Sequence, residues 1–178
     1  EENAHGIGDR TRCRHGRGIK FGDCVHSSRR LPHAPEGGRQ ARKLPGACGE
    51  EAGDTLGLRI ADKRTGEHLY FLAACAAFTP ELRQRLQGAP LIFFDGTLWK
   101  DDELIAAGLG VKTGQRMGHM AISGPDGAMA ALADLGVGRK IFLHINNSNP
   151  VLLPESTERQ SAERAGWQIP FDGMEITV

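Results

Sequence analysis

Three side chains of metal-binding type stand at or near apolar runs in the second half of the chain. Asp95 follows the run LIFF, His144 lies within the run IFLHI, and His119 lies in a glycine-flanked loop between them. Strands that end at one edge of a sheet bring such side chains together, and Asp and His are ligands of zinc and of iron(II). The sequence therefore predicts a metal site built from strand ends.

Each of these residues also has a structural interpretation. Asp95 would cap the turn that follows it by accepting hydrogen bonds from backbone amides. His144 would be a core residue of its strand, although the polar loop NNSNP that follows is suited to orient an imidazole ring. His119 has three open roles: metal ligand, hydrogen-bond partner of Asp95, or a catalytic residue that acts on substrate.

Two cations flank His119 in the same loop. Arg116 and Lys112 are able to hold a substrate carboxylate, and they are equally compatible with a solvated surface. Cys75, in the run AACAA, is interpreted as a small buried hydrophobic residue.

Hydrophobic periodicity and turn residues predict the elements that position these side chains. Strands are predicted at 55–60, 67–73, 91–94, 139–145 and 167–171, with residues 174–178 pairing beside the last. Helices are predicted at 79–86, 101–107, 125–135 and 154–165, the first with Thr79 as its cap and the second with Asp101. A turn at 62–66 joins the first two strands, with Gly66 in the left-handed conformation. The alternation of strands and helices is typical of a layered α/β fold.

Composition narrows the class of function. The 178 residues carry 22 Lys and Arg against 22 Asp and Glu, so the zero net charge predicts neither a nucleic-acid nor an anionic-membrane partner. No apolar run reaches the roughly 18 residues of a membrane-spanning helix, so no membrane insertion is expected. The four cysteines include no C-x-x-C pair. With no secretory signal at the start, reduced thiols and a cytoplasmic location are predicted.

Residues 1–52 differ in character from residues 53–178. The first fifty residues hold ten Lys and Arg against six Asp and Glu and show no hydrophobic period, which predicts a low-order basic Gly/Arg-rich segment. A basic arm for nucleic acid is less favoured because no aromatic residue interleaves the arginines, and a His/Cys metal site is less favoured because the spacing matches no known ligand set. Such a composition is also typical of a GC-rich coding region translated out of frame.

The second segment carries a series of motifs that resembles one family, the pyrroloquinoline quinone (PQQ) biosynthesis protein B family of the metallo-β-lactamase superfamily. The motifs, in chain order, are FDGTLW at 94–99, KTGQRMGHM at 112–120, SGPDG at 123–127, HINNSNPVLL at 144–153, ERAGW at 163–167 and FDGME at 171–175. The resemblance covers residues 53–178 and corresponds to the C-terminal portion of that family.

The resemblance implies a metallo-β-lactamase-like αββα sandwich and a site for a divalent metal, with Fe(II) favoured and Zn(II) as the alternative. Asp95 and His144 match the fold's carboxylate ligand and last histidine ligand, and His119 matches a loop histidine that supports or completes the site. The implied reaction is metal- and oxygen-dependent hydroxylation of the tyrosine of a Glu-Tyr unit cut from a precursor peptide, with His119 and Arg116 assigned to the catalytic site.

Two other functions are compatible with the same resemblance: a carrier that takes part in transport of PQQ or its precursor to the periplasm, and a zinc-dependent hydrolase. The implied partners are the Glu-Tyr unit or a PQQ intermediate, together with other proteins of the PQQ pathway.

One departure from the family pattern limits what the resemblance implies. The fold's first ligand cluster, of the form His-x-His-x-Asp-His, would precede residue 53, and residues 1–52 contain no such cluster. An incomplete sandwich with half of the metal site is therefore expected, with sheet faces left exposed to solvent. Whether the chain is an enzyme stays open at this stage.

Overall fold

The computed structural model describes residues 18–19, 42–48 and 55–177, with side chains from residue 57 onward. The strands are β1 (Gly18–Ile19), β2 (Arg42–Cys48), β3 (Thr55–Ala61), β4 (His68–Leu72), β5 (Leu91–Asp95), β6 (Arg139–Leu143), β7 (Trp167–Gln168) and β8 (Ile176–Thr177). The helices are α1 (Pro80–Leu86), α2 (Glu103–Ala106), α3 (Ala128–Ala131) and α4 (Thr157–Arg164).

Six of the strands form one mixed sheet in the order β2-β3-β4-β5-β6-β7. The pairs β2–β3 and β3–β4 are antiparallel, whereas β4, β5, β6 and β7 run parallel to their neighbours. Helices lie between the parallel strands in the chain, as parallel connections require. The carboxyl ends of β4, β5 and β6 consequently meet at one edge of the sheet.

Local sequence signals place several elements where they were predicted. In the β3–β4 turn, Asp62 accepts a hydrogen bond from the Arg64 amide at 2.7 Å, and Gly66 has a φ of 79°. Helix α1 follows Thr79, whose hydroxyl accepts from the Leu82 amide, with proline at the first helical position. Helix α4 is capped by Ser156 and so begins later than the predicted residue 154.

The core occupies both faces of the sheet. Ile92 and Phe94 of β5 pack with the helices and with Trp167, whose ring stacks on Phe142 at 3.8 Å. Leu91 and Phe93 point to the other face, as the two-residue period of a strand requires. There they pack in a second cluster that also contains buried Ile176 of β8. The expectation of exposed sheet faces is therefore wrong for these side chains.

Two helices are shorter than predicted. Helix α2 begins at Glu103 instead of 101, because the Asp101 carboxylate accepts from the Gln115 amide at 2.7 Å and does not cap the helix. Helix α3 covers only Ala128–Ala131 of the predicted 125–135. The helix follows Gly127, where a Cβ would lie 2.2 Å from the Ser123 carbonyl oxygen. Beyond the end of the helix, the Leu135 carbonyl accepts a hydrogen bond from the Gly88 amide.

The strand predictions differ from the structure at several points. Strand β6 ends at Leu143, so His144 and Ile145 lie outside it, and β7 ends at Gln168. Strand β8 pairs with β1 and does not lie beside β7 as predicted. Strands β1 and β2 were not predicted at all. Three expectations concern the rest of residues 1–52: low order, a nucleic-acid arm and a His/Cys metal site. That segment lies outside the described residues.

Within residues 55–177, no helix combines the length and the apolar character needed to cross a membrane.

Candidate metal centre

Three chain segments meet at the carboxyl edge of the sheet. Asp95 is the last residue of β5, His144 directly follows β6, and Cys75 lies shortly after β4. The parallel register pairs Asp95 with Leu143, so the carboxylate and the following His144 are brought side by side. The prediction that strand ends deliver Asp and His to one edge is therefore confirmed.

Asp95 is fully buried, and both of its carboxylate oxygens are hydrogen bonded. Oδ2 accepts from the Cys75 amide at 2.9 Å and lies 2.8 Å from Nδ1 of His119. Oδ1 accepts from the amide and the hydroxyl of Thr97 at 3.1 and 2.6 Å. Four donors suit a buried carboxylate, which is costly to bury without them. The turn-capping interpretation of Asp95 is thus correct for the Thr97 amide, and it coexists with a contact to a histidine.

His119 reaches Asp95 from the loop between α2 and α3. A 3₁₀ turn at Gln115–Met117 ends in Gly118, which has a φ of 94° and redirects the chain. The amide of Met120 then donates to the Cys75 carbonyl, which fixes the loop against the end of β4. The His119 side chain is 13% exposed, so its ring lines the mouth of the site. Of the three open roles, the hydrogen bond to Asp95 is present in the structure.

His144 has a backbone conformation that non-glycine residues seldom adopt. Its φ of 56° places it in the left-handed region, and among the described non-glycine residues it alone has a positive φ. This conformation ends β6 and exposes the side chain, so the core-residue interpretation of His144 is wrong. The imidazole lies beside that of His119, with ring centroids 5.2 Å apart and the planes inclined by 30°.

Thr97 lies between all three side chains. Its Oγ1 is 2.6 Å from Asp95 Oδ1, 3.1 Å from His119 Nδ1 and 2.9 Å from His144 Nδ1. The same oxygen is 3.1 Å from the carbonyl oxygen of His144. Thr97 was not predicted as a site residue, although a hydroxyl two positions after a turn-forming Asp is a recurrent local partner.

Two loops are tied together behind the site. Buried Asn149 donates from Nδ2 to the carbonyl of Gly96 at 3.0 Å, and its Oδ1 accepts from the Val151 amide at 3.0 Å. Ser148 donates to Glu103 at 2.9 Å, and Glu103 also accepts from the Trp99 amide. These bonds fix the loop that follows His144, and the predicted role of that loop in orienting the His144 ring stays a prediction.

Gly96 is required by close packing. A Cβ at this position would lie 2.8 Å from Cβ of Phe142 and 3.2 Å from the Leu143 carbonyl oxygen. The Gly96 amide also donates to that carbonyl at 2.8 Å, which continues the contact between the two chains beyond the strand ends. Glycine therefore lets the segment after Asp95 lie directly against the segment that carries His144.

The predicted substrate-binding cations lie at the surface. Arg116 is exposed on the 3₁₀ turn, and Lys112 is exposed earlier in the same loop. Within the described part of the chain, neither side chain has an ion-pair partner or contacts Asp95 or the two histidines. The structure does not bring Arg116 into the cluster, and its assignment to the catalytic site stays a prediction.

The donor set fits a divalent metal ion. Asp95, His119 and His144 each offer one ligand atom, and these atoms all lie within 4.8 Å of one another. Two imidazoles and one carboxylate form a common set in catalytic zinc sites and in non-haem iron(II) sites, both of which leave positions open for water or substrate. The set alone does not distinguish the two metals.

Comparisons with known proteins agree with this fold. Residues 1–145 match the family model of the beta-lactamase superfamily domain, so the chain belongs to that superfamily. The coenzyme PQQ synthesis protein B of Rhodopseudomonas palustris is 63% identical over 139 residues, which are 78% of this chain and 45% of the relative. That of Bradyrhizobium diazoefficiens is 65% identical over 126 residues, which are 71% of this chain and 41% of the relative.

A solved structure extends the comparison to three dimensions. The crystal structure of Zn(2+)-bound PqqB from Methylobacterium extorquens matches with a TM-score of 0.67 and 44% identity, covering 70% of this chain and 44% of that one. Within the superfamily, the chain belongs to the coenzyme PQQ synthesis protein B family, as its motifs predicted. It spans less than half the length of the relatives that it matches, which fits a C-terminal portion.

Proposed function

We propose that Asp95, His119 and His144 bind a divalent metal ion and that the chain serves in PQQ cofactor biosynthesis. The observation that carries this proposal is the convergence of the three ligand atoms within 4.8 Å at the carboxyl edge of the sheet. The structural neighbour from Methylobacterium extorquens is Zn(2+)-bound, and the relatives are named for PQQ synthesis, which supports both parts of the proposal.

In this proposal His119 completes the site. Four donors occupy the four lone-pair positions of the Asp95 carboxylate. Two are the backbone amides of Cys75 and Thr97, and a third is the Thr97 hydroxyl, only two residues from Asp95. The His119 hydrogen bond comes from a loop side chain. The His119 hydrogen bond is therefore the one that would give way if Asp95 held a metal ion, and His119 would then be available as a further ligand.

Metal binding is tested with zinc and with anaerobic iron(II), by calorimetry on the chelator-treated protein. Asp95→Ala and His144→Ala are expected to abolish binding, since each removes one of three ligands. His68→Ala is the matched control, because His68 begins β4 and so lies at the opposite end of the strand from the site. Unchanged binding in both site variants, or no binding in the unaltered chain, would refute the metal centre.

The finer proposal is hydroxylation of the tyrosine ring of a Glu-Tyr unit, with iron(II) as the metal. The metal supplies the activation of molecular oxygen. In the balanced reaction one oxygen atom is inserted into a ring C–H bond, and the other is released as water after taking up two electrons from an external reductant and two protons. Arg116 is proposed to hold a substrate carboxylate from the exposed 3₁₀ turn, as a bidentate cation.

The reaction is tested with iron-loaded protein, oxygen, ascorbate and Glu-Tyr, followed by mass spectrometry. A product heavier by one oxygen supports hydroxylation, and Arg116→Ala is then expected to raise KM with little change in kcat. Cleavage of the dipeptide would instead indicate a hydrolase. Tight binding without turnover, unchanged when Asp95 and His144 are both replaced by alanine, would indicate a carrier.

A further inference from the structure

The hydroxyl of Thr97 occupies a position that decides which nitrogen of His144 carries a hydrogen. A threonine hydroxyl has one hydrogen to donate and two lone pairs to accept with. Four polar atoms lie within 3.1 Å of this one: Asp95 Oδ1, the His144 carbonyl oxygen, and Nδ1 of each histidine. The hydroxyl can donate its hydrogen in only one of the four contacts. In any other contact that is a hydrogen bond, Oγ1 must be the acceptor.

The Thr97 hydroxyl donates its hydrogen bond to the Asp95 carboxylate. The distance of 2.6 Å is that of a charge-assisted O–H···O⁻ bond, and the carboxylate is both the nearest and the strongest acceptor. The other oxygen within reach, the His144 carbonyl, is neutral and farther away at 3.1 Å. Oγ1 therefore presents its lone pairs to the imidazoles.

His144 must then carry its hydrogen on Nδ1. At 2.9 Å from a hydroxyl that acts as acceptor, Nδ1 forms a hydrogen bond only as an N–H donor. A neutral imidazole has one N–H, so Nε2 keeps its lone pair. His144 makes this contact from a left-handed backbone, a conformation that costs free energy in a non-glycine residue and persists only where surrounding contacts hold it.

We propose that Thr97 is a positioning residue, which fixes His144 as the Nδ1–H tautomer and so makes Nε2 the nitrogen that binds the metal. This inference rests on the metal centre proposed above. A partner that holds the second nitrogen of a ligand histidine contributes about 10–100-fold to metal affinity. Thr97 reaches Asp95 through the same hydroxyl, so one side chain aligns a carboxylate and an imidazole that are 49 residues apart in the chain.

The experiment compares Thr97→Val, which keeps the shape but removes the hydroxyl, with Thr97→Ser, which restores it. The His144 tautomer is read in the chelator-treated full chain from the ¹⁵N chemical shifts of its ring, assigned with His144→Gln, at a pH where the ring is neutral. Zinc affinity is measured in parallel by competition with a chromogenic chelator. Thr113→Val is the matched control, because its hydroxyl accepts only a long 3.4 Å bond from the Arg116 amide.

The unaltered chain and Thr97→Ser are expected to show the Nδ1–H tautomer of His144 and similar zinc affinity. Thr97→Val is expected to show the Nε2–H tautomer and a zinc affinity about 10–100-fold lower. An Nε2–H tautomer in the unaltered chain would overturn the proposal even if Thr97→Val failed to fold. So would a Thr97→Ser variant that behaves like Thr97→Val, or a folded Thr97→Val with unchanged zinc affinity.

The tautomer measurement needs no metal. An unaltered chain that shows the Nδ1–H tautomer but binds no zinc or iron would therefore refute the metal centre and leave the role of Thr97 in orienting His144 standing.

Discussion

The buried side chain of Asn149 links two loops behind the site, and replacing it tests how much this link contributes to stability. Asn149 is 1% exposed, and its side chain joins the loop after β5 to the loop after β6. In Asn149→Ala the Gly96 carbonyl loses its donor and the Val151 amide loses its acceptor. The Thr97 carbonyl, which Asn149 also contacts, keeps a 3.1 Å bond from the Asn146 amide.

The magnitude follows from the two backbone groups left without partners. Each unsatisfied buried group costs about 1–3 kcal/mol. Because alanine is smaller, a water molecule can enter and form some of the lost hydrogen bonds, so the lower half of this range applies to each group. We expect Asn149→Ala to lower the free energy of unfolding by about 2–4 kcal/mol.

The assay is urea denaturation followed by circular dichroism, with the midpoint and the slope fitted for each variant. Asn147→Ala is the control, because Asn147 is exposed in the same loop and is expected to change stability by less than about 0.5 kcal/mol. Asn149→Asp keeps the acceptor for Val151 but places an oxygen against the Gly96 carbonyl, and it should destabilise the chain at least as much as alanine does. Equal stabilities of Asn149→Ala and Asn147→Ala would refute the reasoning.

Three further substitutions test the packing around the site and the helix caps, each by the same denaturation assay. Gly96→Ala is expected to cost about 1–3 kcal/mol, because its Cβ would lie 2.8 Å from that of Phe142; a neutral effect would show that the two segments separate easily. Phe142→Ala should cost about 3–5 kcal/mol through loss of the buried stack on Trp167, and a loss below about 1 kcal/mol would contradict that packing. Ser156→Ala should cost about 1 kcal/mol by removing the acceptor for the Arg159 amide, whereas Ser156→Asp should retain the cap; equal losses in the two variants would exclude capping as the cause.

Features that depend on neighbouring residues were predictable from the sequence. Thr79 and Pro80 start α1 because the cap and the fixed proline φ act within one turn of helix. Asp62 and Gly66 form the β3–β4 turn for the same kind of reason. The apolar run before Asp95 is buried on both faces, as its unbroken hydrophobicity predicts for a central strand.

The side chains of the proposed metal centre could be singled out from the sequence, but their mutual contacts could not. Residue types and strand ends pointed to Asp95 and His144 as ligands and left the role of His119 open, and the motifs around them identified the family. The hydrogen bond between His119 and Asp95 joins residues 24 apart, and it depends on how a loop returns to the sheet. The residues next to His119 and Asp95 do not specify the path by which this loop folds back onto the sheet.

Tertiary structure alone decided the features that local signals predicted wrongly. Helix α3 stops at Ala131, and the chain that follows is tied by the Leu135 carbonyl to the amide of Gly88, a residue far away in the chain. Strand β8 pairs with β1 across most of the chain length. His144 leaves the strand pattern in a left-handed conformation that non-glycine residues tolerate only when surrounding contacts hold them there. Local propensities amount to about 1 kcal/mol per residue, so contacts between distant segments override them. The sequence thus pointed to the side chains of the proposed metal centre, and the packing of distant strands and loops determined how Thr97 connects them.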